Sequence, residues 1–108
     1  MELTRRELFS AKHDKHRNVK EIDGETILPV AHITYQYTGA DDKLHSVLVI
    51  KDGNTGEMFR SEVKAFIDKF MTYLEDFGDM PDEERPAIRI SCRESKKHNM
   101  YANFDLVD

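Results

Sequence analysis

The chain has 108 residues, of which 39% are hydrophobic and 34% are charged, and its formal net charge is −5 at pH 7. This length predicts one domain, and aromatic and β-branched residues are frequent enough to build a packed core. The one cysteine, Cys92, excludes an intramolecular disulfide and favours a reducing compartment. No apolar run reaches the roughly 18–20 residues that span a bilayer, and the N-terminus lacks the apolar part of a secretory signal. We therefore expect a cytoplasmic protein.

Charge is distributed unevenly along the chain. Residues 1–20 carry six basic and three acidic side chains, a net charge of +3, and the total of −5 then leaves −8 for residues 21–108. Such asymmetry is typical of an interaction segment, but the basic segment can equally fold against the acidic body. We predict a basic N-terminal arm at 1–20 and a compact α+β body at 21–108, within a single domain overall.

The first predicted element is a helix that begins near residue 5. Thr4 can cap it, and Glu7 follows three residues later, which is the spacing of a capping box. We expect this helix to end at about residue 13 or 16.

Three strands are predicted next. The segment AHITYQYT, residues 31–38, alternates between apolar and polar side chains, as a half-buried strand does. The segment LHSVLVIK, residues 44–51, is apolar on both faces and predicts a central strand. The short segment EMF, residues 57–59, follows a hairpin loop. We expect this strand or the C-terminal one to be an unpaired sheet edge, through which a homodimer could form.

The strongest helical pattern covers residues 61–77. Ser61 is the expected N-cap and Gly78 the expected C-terminal glycine. One apolar stripe recurs at helical spacing and consists of Val63, Phe66, Ile67, Phe70, Leu74 and Phe77.

Two more alternating segments, residues 87–94 and 100–107, predict a hairpin with its turn at 95–99. The predicted element order is therefore α-β-β-β-α-β-β, and short connections favour antiparallel neighbours. We predict an α+β fold in which an antiparallel sheet carries the 61–77 helix on one face.

The first candidate site is the acidic segment, residues 75–84, which contains six acidic side chains and no basic one. These candidate partner-binding residues are Glu75, Asp76, Asp79, Asp82, Glu83 and Glu84. Their spacing is not that of a calcium-binding EF-hand loop. The segment predicts either a solvated loop or an acidic surface that meets a basic partner protein, including one that normally binds nucleic acid.

The basic arm is the alternative site, for nucleic acid. Its candidate cations are Lys12, Lys15, Arg17 and Lys20. They do not share one helical stripe, so they predict a diffuse positive potential. The order α-β-β-β-α over residues 5–77 resembles a double-stranded-RNA-binding domain, whose second helix begins with basic residues that contact phosphates. The resemblance is one of element order, because that helix here begins with Arg60 and Lys64 around Glu62, without a run of lysines.

Catalysis and metal binding find little support in the sequence. His13 and His16 would share a helical face, but each is flanked by cations that repel a metal ion. The chain has no HExxH motif, glycine-rich phosphate loop or nucleophile elbow. We predict no catalytic residue, no bound metal and no cofactor.

The sequence therefore predicts a small non-catalytic protein-binding or regulatory module that acts through the acidic segment. An inhibitor, or an accessory protein of a phage or mobile element, would fit this description. The alternative is a nucleic-acid-binding domain that uses the basic arm. We expect a protein partner with a basic surface and no contact with membranes.

Overall fold

Two β-sheets and two α-helices form the fold in a computed structural model that describes residues 3–94, 97 and 100–107. In chain order the helices and strands are α1 (Arg5–His13), β1 (Arg17–Asn18), β2 (Thr26–Ile27), β3 (Pro29–Thr38), β4 (Leu44–Asp52), β5 (Met58–Ser61), α2 (Lys64–Phe77), β6 (Ala87–Glu94) and β7 (Met100–Val107). The predicted α+β class and the order α-β-β-β-α-β-β are confirmed. The sequence patterns did not reveal β1 and β2, which have two residues each.

The larger sheet has the strand order β1-β5-β4-β3, and the smaller has the order β2-β6-β7. All neighbours are antiparallel except β1 and β5, which pair in parallel. The expectation that β5 is a sheet edge was wrong, because β5 lies between β1 and β4. The larger sheet ends on the other side with β3, which pairs only with β4 in that sheet. Strand β3 begins at Pro29, and proline is typical of edge strands. The C-terminal strand β7 is an edge of the smaller sheet, as predicted.

The main core lies between α2 and the two sheets. It includes Leu48 and Ile50 of β4, Phe66 and Phe70 of α2, Ile88 and Ile90 of β6, and Phe104 of β7. The predicted apolar stripe of α2 faces this core. Tyr73, which was not in that stripe, is also buried, and its hydroxyl donates a 2.7 Å hydrogen bond to the carbonyl of Pro86.

Helix α2 begins later than the sequence predicts. Its N-cap is Val63, without a side-chain capping bond, and Ser61 is instead the last residue of β5. Pairing with Leu48 keeps Ser61 extended, and its hydroxyl accepts a 3.2 Å hydrogen bond from the amide of Val63. The prediction of Ser61 as N-cap was wrong because strand pairing holds that residue outside the helix.

Helix α1 packs on the opposite face of the larger sheet and forms a second core. Leu3 and Ala11 are buried there against residues from β3, β4 and β5. The predicted capping box is present, with Thr4 N–H donating to Glu7 Oε1 at 2.9 Å and Glu7 N–H donating to Thr4 Oγ1 at 3.2 Å. A salt bridge of 2.5 Å joins Glu7 to Lys51 of β4. The first part of the basic arm therefore lies against the body.

The radius of gyration, 13.8 Å, is close to the roughly 13 Å expected for one domain of this size. Within the described ranges, neither helix is long and apolar enough to cross a membrane. The predicted turn at 95–99 lies outside the described residues apart from Lys97.

Candidate partner-binding site

The acidic segment forms the last turn of α2 and the loop that follows it. Glu75 and Asp76 are exposed on the helix, and Asp79, Glu83 and Glu84 are exposed in the loop. None of these five carboxylates forms a salt bridge within residues 3–94, 97 and 100–107. This end of the molecule therefore presents a surplus of negative charge to solvent.

Asp82, the sixth acidic residue, has a structural role. Its Oδ1 lies 3.1 Å from Nη1 of Arg85, a guanidinium in a residue that is only 8% exposed. Arg85 also donates hydrogen bonds of 2.6–3.3 Å to four backbone carbonyls, those of Pro29, Met80, Gly78 and Phe77. Asp82 thus neutralises a buried cation that joins the loop to α2 and β3, and it is less available to a partner than the other five.

A groove runs between β3 and α2 next to the acidic segment, and we call it the β3–α2 groove. Two cavities of about 190 and 470 Å³ lie along it, the first lined by His32 and Leu74 and the second by Thr34 and Met71. A third depression, of about 290 Å³, shares Ile67 with the second and continues to the β3–β4 hairpin. The groove therefore follows most of the length of α2.

The groove combines an apolar wall with an acidic end. Ile67, Met71 and Leu74 are half-buried on the α2 side. Asp79 lines the first cavity, and Glu75 lies one helical turn after Met71 on the same face of α2. An apolar surface that ends in carboxylates suits a partner segment that carries apolar and basic side chains.

A polar cluster closes the groove at the hairpin end. The Tyr37 hydroxyl donates a 2.7 Å hydrogen bond to Glu62 Oε1, and its ring stacks on His45 at a centroid distance of 5.1 Å. His45 Nε2 lies 3.0 Å from Asp41 Oδ1. The hydrogen bond to Glu62 raises the pKa of Tyr37, and the contact with His45 lowers the pKa of Asp41. These contacts hold the hairpin to the start of α2.

The basic arm is spread over several elements. Lys12 lies in α1, Lys15 in the following connection, Arg17 in β1 and Lys20 in a short 3₁₀ helix. Arg17 is held by Glu57 through two hydrogen bonds, from Nε at 2.7 Å and from Nη2 at 2.8 Å. The three lysines are exposed and form no salt bridge within the part of the chain that the structure describes.

Of the two basic residues that the sequence places at the start of the second helix, Arg60 lies in β5 and Lys64 begins α2, and both are ion-paired. Nη2 of Arg60 lies 3.1 Å from Glu62, and Nζ of Lys64 lies 3.7 Å from Asp68. Carboxylates therefore already neutralise the cations that the resemblance to a double-stranded-RNA-binding domain would assign to phosphate contacts.

The structure separates the two histidines of the arm. Because α1 ends at His13, His16 does not share its helical face. The His13 ring lies 4.5 Å from the ring of Phe9, whereas His16 Nε2–H donates to the Ser10 carbonyl at 2.9 Å. Among the residues described, no group of three or more His, Cys, Asp or Glu side chains is placed to hold a metal ion.

Cys92 packs against the edge of the main core. Its thiol donates long hydrogen bonds of 3.4 and 3.6 Å to the carbonyls of Lys20 and Val19. Burial raises the pKa of this thiol, and the charge of Asp23 raises it further. A thiol with a raised pKa is a poor nucleophile at neutral pH.

His32, at the centre of the groove wall, should make the folded state sensitive to mild acid. Its ring packs edge-on against Phe70 at a centroid distance of 5.7 Å. Burial lowers the pKa of His32, and the charge of Arg85 lowers it further. The folded state then binds protons less readily than the unfolded chain, whose histidine pKa is about 6.5. Stability should therefore fall as pH drops below about 6.5 toward the folded-state pKa.

We expect the loss of unfolding free energy between pH 7 and pH 5 to be smaller in His32→Gln than in the wild type. Urea denaturation at the two pH values measures this difference. His13→Gln, at an exposed position, is the matched control and should behave like the wild type. An equal loss in His32→Gln and the wild type would contradict the prediction.

No protein-family model, curated protein or solved structure matches this chain.

Proposed function

We propose that this protein is a small non-catalytic protein-binding or regulatory module that binds a basic partner protein through its acidic segment. The observation that carries the proposal is a set of five exposed carboxylates without salt bridges in the described residues. Of these, Asp79 lines the β3–α2 groove, and Glu75 lies on the same face of α2 as Met71. Complementary charge accelerates the encounter with a basic partner, and the apolar wall of the groove adds buried area once contact is made.

An inhibitor or regulator fits this surface because covering a basic partner requires complementarity and no chemical step. The proposal includes a cytoplasmic location, which the single cysteine without a disulfide partner supports. The alternative, a nucleic-acid-binding domain, relies on the three exposed lysines of the arm, since Arg17 is held by Glu57.

Charge reversal of the acidic segment tests the proposal. In the acidic-segment variant, the changes are Glu75→Lys, Asp79→Lys, Glu83→Lys and Glu84→Lys. Asp82 is left unchanged because it neutralises the buried Arg85. We expect this variant to fold normally but to lose at least tenfold in affinity for the partner captured by the wild type from native cells.

The matched control reverses charge in the basic arm, with Lys12→Glu, Lys15→Glu and Lys20→Glu, and leaves Arg17 in place. This variant should bind the partner as well as the wild type or slightly better, and nuclease treatment should not release the partner. A nucleic-acid function predicts the opposite. The arm variant would then lose most of its affinity for nucleic acid, and that affinity would depend less on salt concentration. Release of the partner by nuclease, or normal binding by the acidic-segment variant, would contradict the proposal.

A further inference from the structure

The backbone edge of β3 is open along the β3–α2 groove. The amide of Gly39 donates to the carbonyl of Lys43 at 2.9 Å, which sets the alternation of hydrogen-bonded pairs between β3 and β4. Hydrogen-bonded and non-hydrogen-bonded pairs alternate along two antiparallel strands, and a residue of a non-hydrogen-bonded pair directs its N–H and C=O away from the partner strand. Counting back from Gly39, the residues His32, Thr34 and Gln36 belong to non-hydrogen-bonded pairs, so their N–H and C=O groups point away from β4. These groups have no hydrogen-bond partner among residues 3–94, 97 and 100–107.

The exposed edge of β7, by contrast, is blocked at its centre. Ile90 bonds through its own N–H and C=O to residues before β2, so Phe104, its partner in β7, directs its backbone groups outward. The Phe104 N–H donates to Asn103 Oδ1 at 2.9 Å, and its carbonyl accepts from Lys69 Nζ at 2.5 Å. Side chains thus occupy both outward backbone groups of Phe104, at the centre of the β7 edge. Within the described residues, no side chain occupies those of His32, Thr34 and Gln36 in β3.

An added strand at β3 would lie beside the apolar wall of α2. His32 packs toward α2 on Phe70, so Thr34 and Gln36, at alternate positions, face the same side. Every second side chain of an added strand would then approach Ile67, Met71 or Leu74. The edge from residue 32 to residue 38 spans about 20 Å, close to the about 21 Å of the 14-residue helix α2.

We propose that the partner's binding segment is an extended peptide that adds to β3 as a fifth strand of the larger sheet, with apolar residues at the α2-facing positions and a basic residue at the α2-facing position nearest the acidic end of the groove. Main-chain hydrogen bonds would supply affinity, and the apolar wall and acidic end of the groove would select the side chains. Glu75 and Asp79 lie at the C-terminal end of α2, so they would contact a basic side chain at the end of the added strand that faces α2. This inference rests on the proposed function and names the form of the partner.

A second copy of this chain does not suit the groove. Its own β3 is covered on one face by α1, through Ile33 and Tyr35, and on the other by α2, through His32. That strand has no free apolar face to place against α2, and two copies each carry a formal charge of −5. A basic peptide from another protein meets both requirements.

Amide hydrogen exchange with a defined probe tests strand addition directly. The probe, called the Lys/Val probe, is a seven-residue peptide with lysine at both ends, valine at its third and fifth positions and threonine at the others, so that the lysines and valines share one face. The control, called the Glu/Val peptide, replaces each lysine with glutamate. The Lys/Val probe should protect the amides of His32, Thr34 and Gln36 at least tenfold, whereas the Glu/Val peptide should protect none of them. Protection that does not alternate along β3, or equal binding of both peptides, would overturn the inference.

Proline substitution at the edge gives a second test. Thr34→Pro removes an outward N–H without removing a β3–β4 hydrogen bond, and it should weaken binding of the Lys/Val probe at least tenfold. Leu106→Pro makes the same change at the exposed edge of β7 and should leave binding within twofold of the wild type. Thermal melts check that both variants are folded.

If Thr34→Pro fails to fold, N-methylated probes replace it, with the wild-type protein unchanged. Methylating the amides of one alternate set, either the threonines or the lysines and valines between them, should abolish binding, and methylating the other set should not. Binding that tolerates both would overturn strand addition. If Thr34→Pro retained the natural partner while the acidic-segment variant lost it, the proposed function would stand and this inference would fall.

Discussion

Replacing Phe70 with alanine is expected to lower the free energy of unfolding by about 3–5 kcal/mol. The side chain is fully buried in the middle of α2 and contacts the rings of Tyr73 and Phe104, with centroid distances of 5.5 and 6.4 Å. These neighbours come from different elements, so they cannot easily move together to close the cavity. The loss is a large share of the roughly 5–15 kcal/mol that stabilises a typical domain.

Thermal and urea denaturation measure the effect of Phe70→Ala. A loss of 3 kcal/mol corresponds to a fall of about 12 °C or more in melting temperature for a chain of this size. The matched control is Phe9→Ala, since Phe9 is 65% exposed on α1 and should contribute less than about 0.5 kcal/mol. If Phe70→Ala melted within a degree or two of the wild type, the stripe of α2 would not be buried as described.

Replacing Arg85 with alanine is expected to destabilise the protein by about 3–5 kcal/mol, the usual cost of breaking a buried ion pair. The change leaves Asp82 without its cation and removes the donors that satisfy four backbone carbonyls around the end of α2 and the start of β3. It should also loosen the acidic end of the β3–α2 groove, because Arg85 lines the first cavity.

Two further variants separate charge from geometry at this site. Arg85→Lys keeps the charge but loses the planar fork that reaches several carbonyls, so it should recover only part of the stability. Arg89→Ala, at an exposed position of β6, is the matched control and should change stability by less than about 0.5 kcal/mol. A wild-type denaturation midpoint for Arg85→Ala would show that the buried guanidinium does not stabilise the fold.

The long elements of this protein were predictable because their signals are local. The capping box of α1 requires residues three positions apart, and Thr4 and Glu7 form it as expected. The stripe of α2 and the alternation in β3, β4, β6 and β7 likewise repeat over neighbouring residues, so the order of elements could be predicted from the sequence.

The acidic segment was also visible in the sequence, but its internal division was not. Composition marks six acidic residues alike, whereas the structure separates Asp82 from the other five. The difference depends on the buried Arg85. Its guanidinium donates hydrogen bonds to backbone carbonyls of α2, of the loop and of Pro29, which is distant in sequence. Composition alone cannot show which carboxylate faces a buried cation.

The tertiary structure alone decided which strand edges are open. The pairing of β1 with β5 makes β5 internal, and two-residue strands such as β1 have no periodicity by which the sequence could reveal them. The carbonyl of Phe104 is capped by Lys69, 35 positions earlier in the chain, while the edge of β3 stays open beside α2. The sequence by itself determined the helices, the long strands and the acidic segment, because neighbouring residues carry those patterns. The groove and its open edge arise from contacts between segments far apart in the chain, which only the folded arrangement brings together.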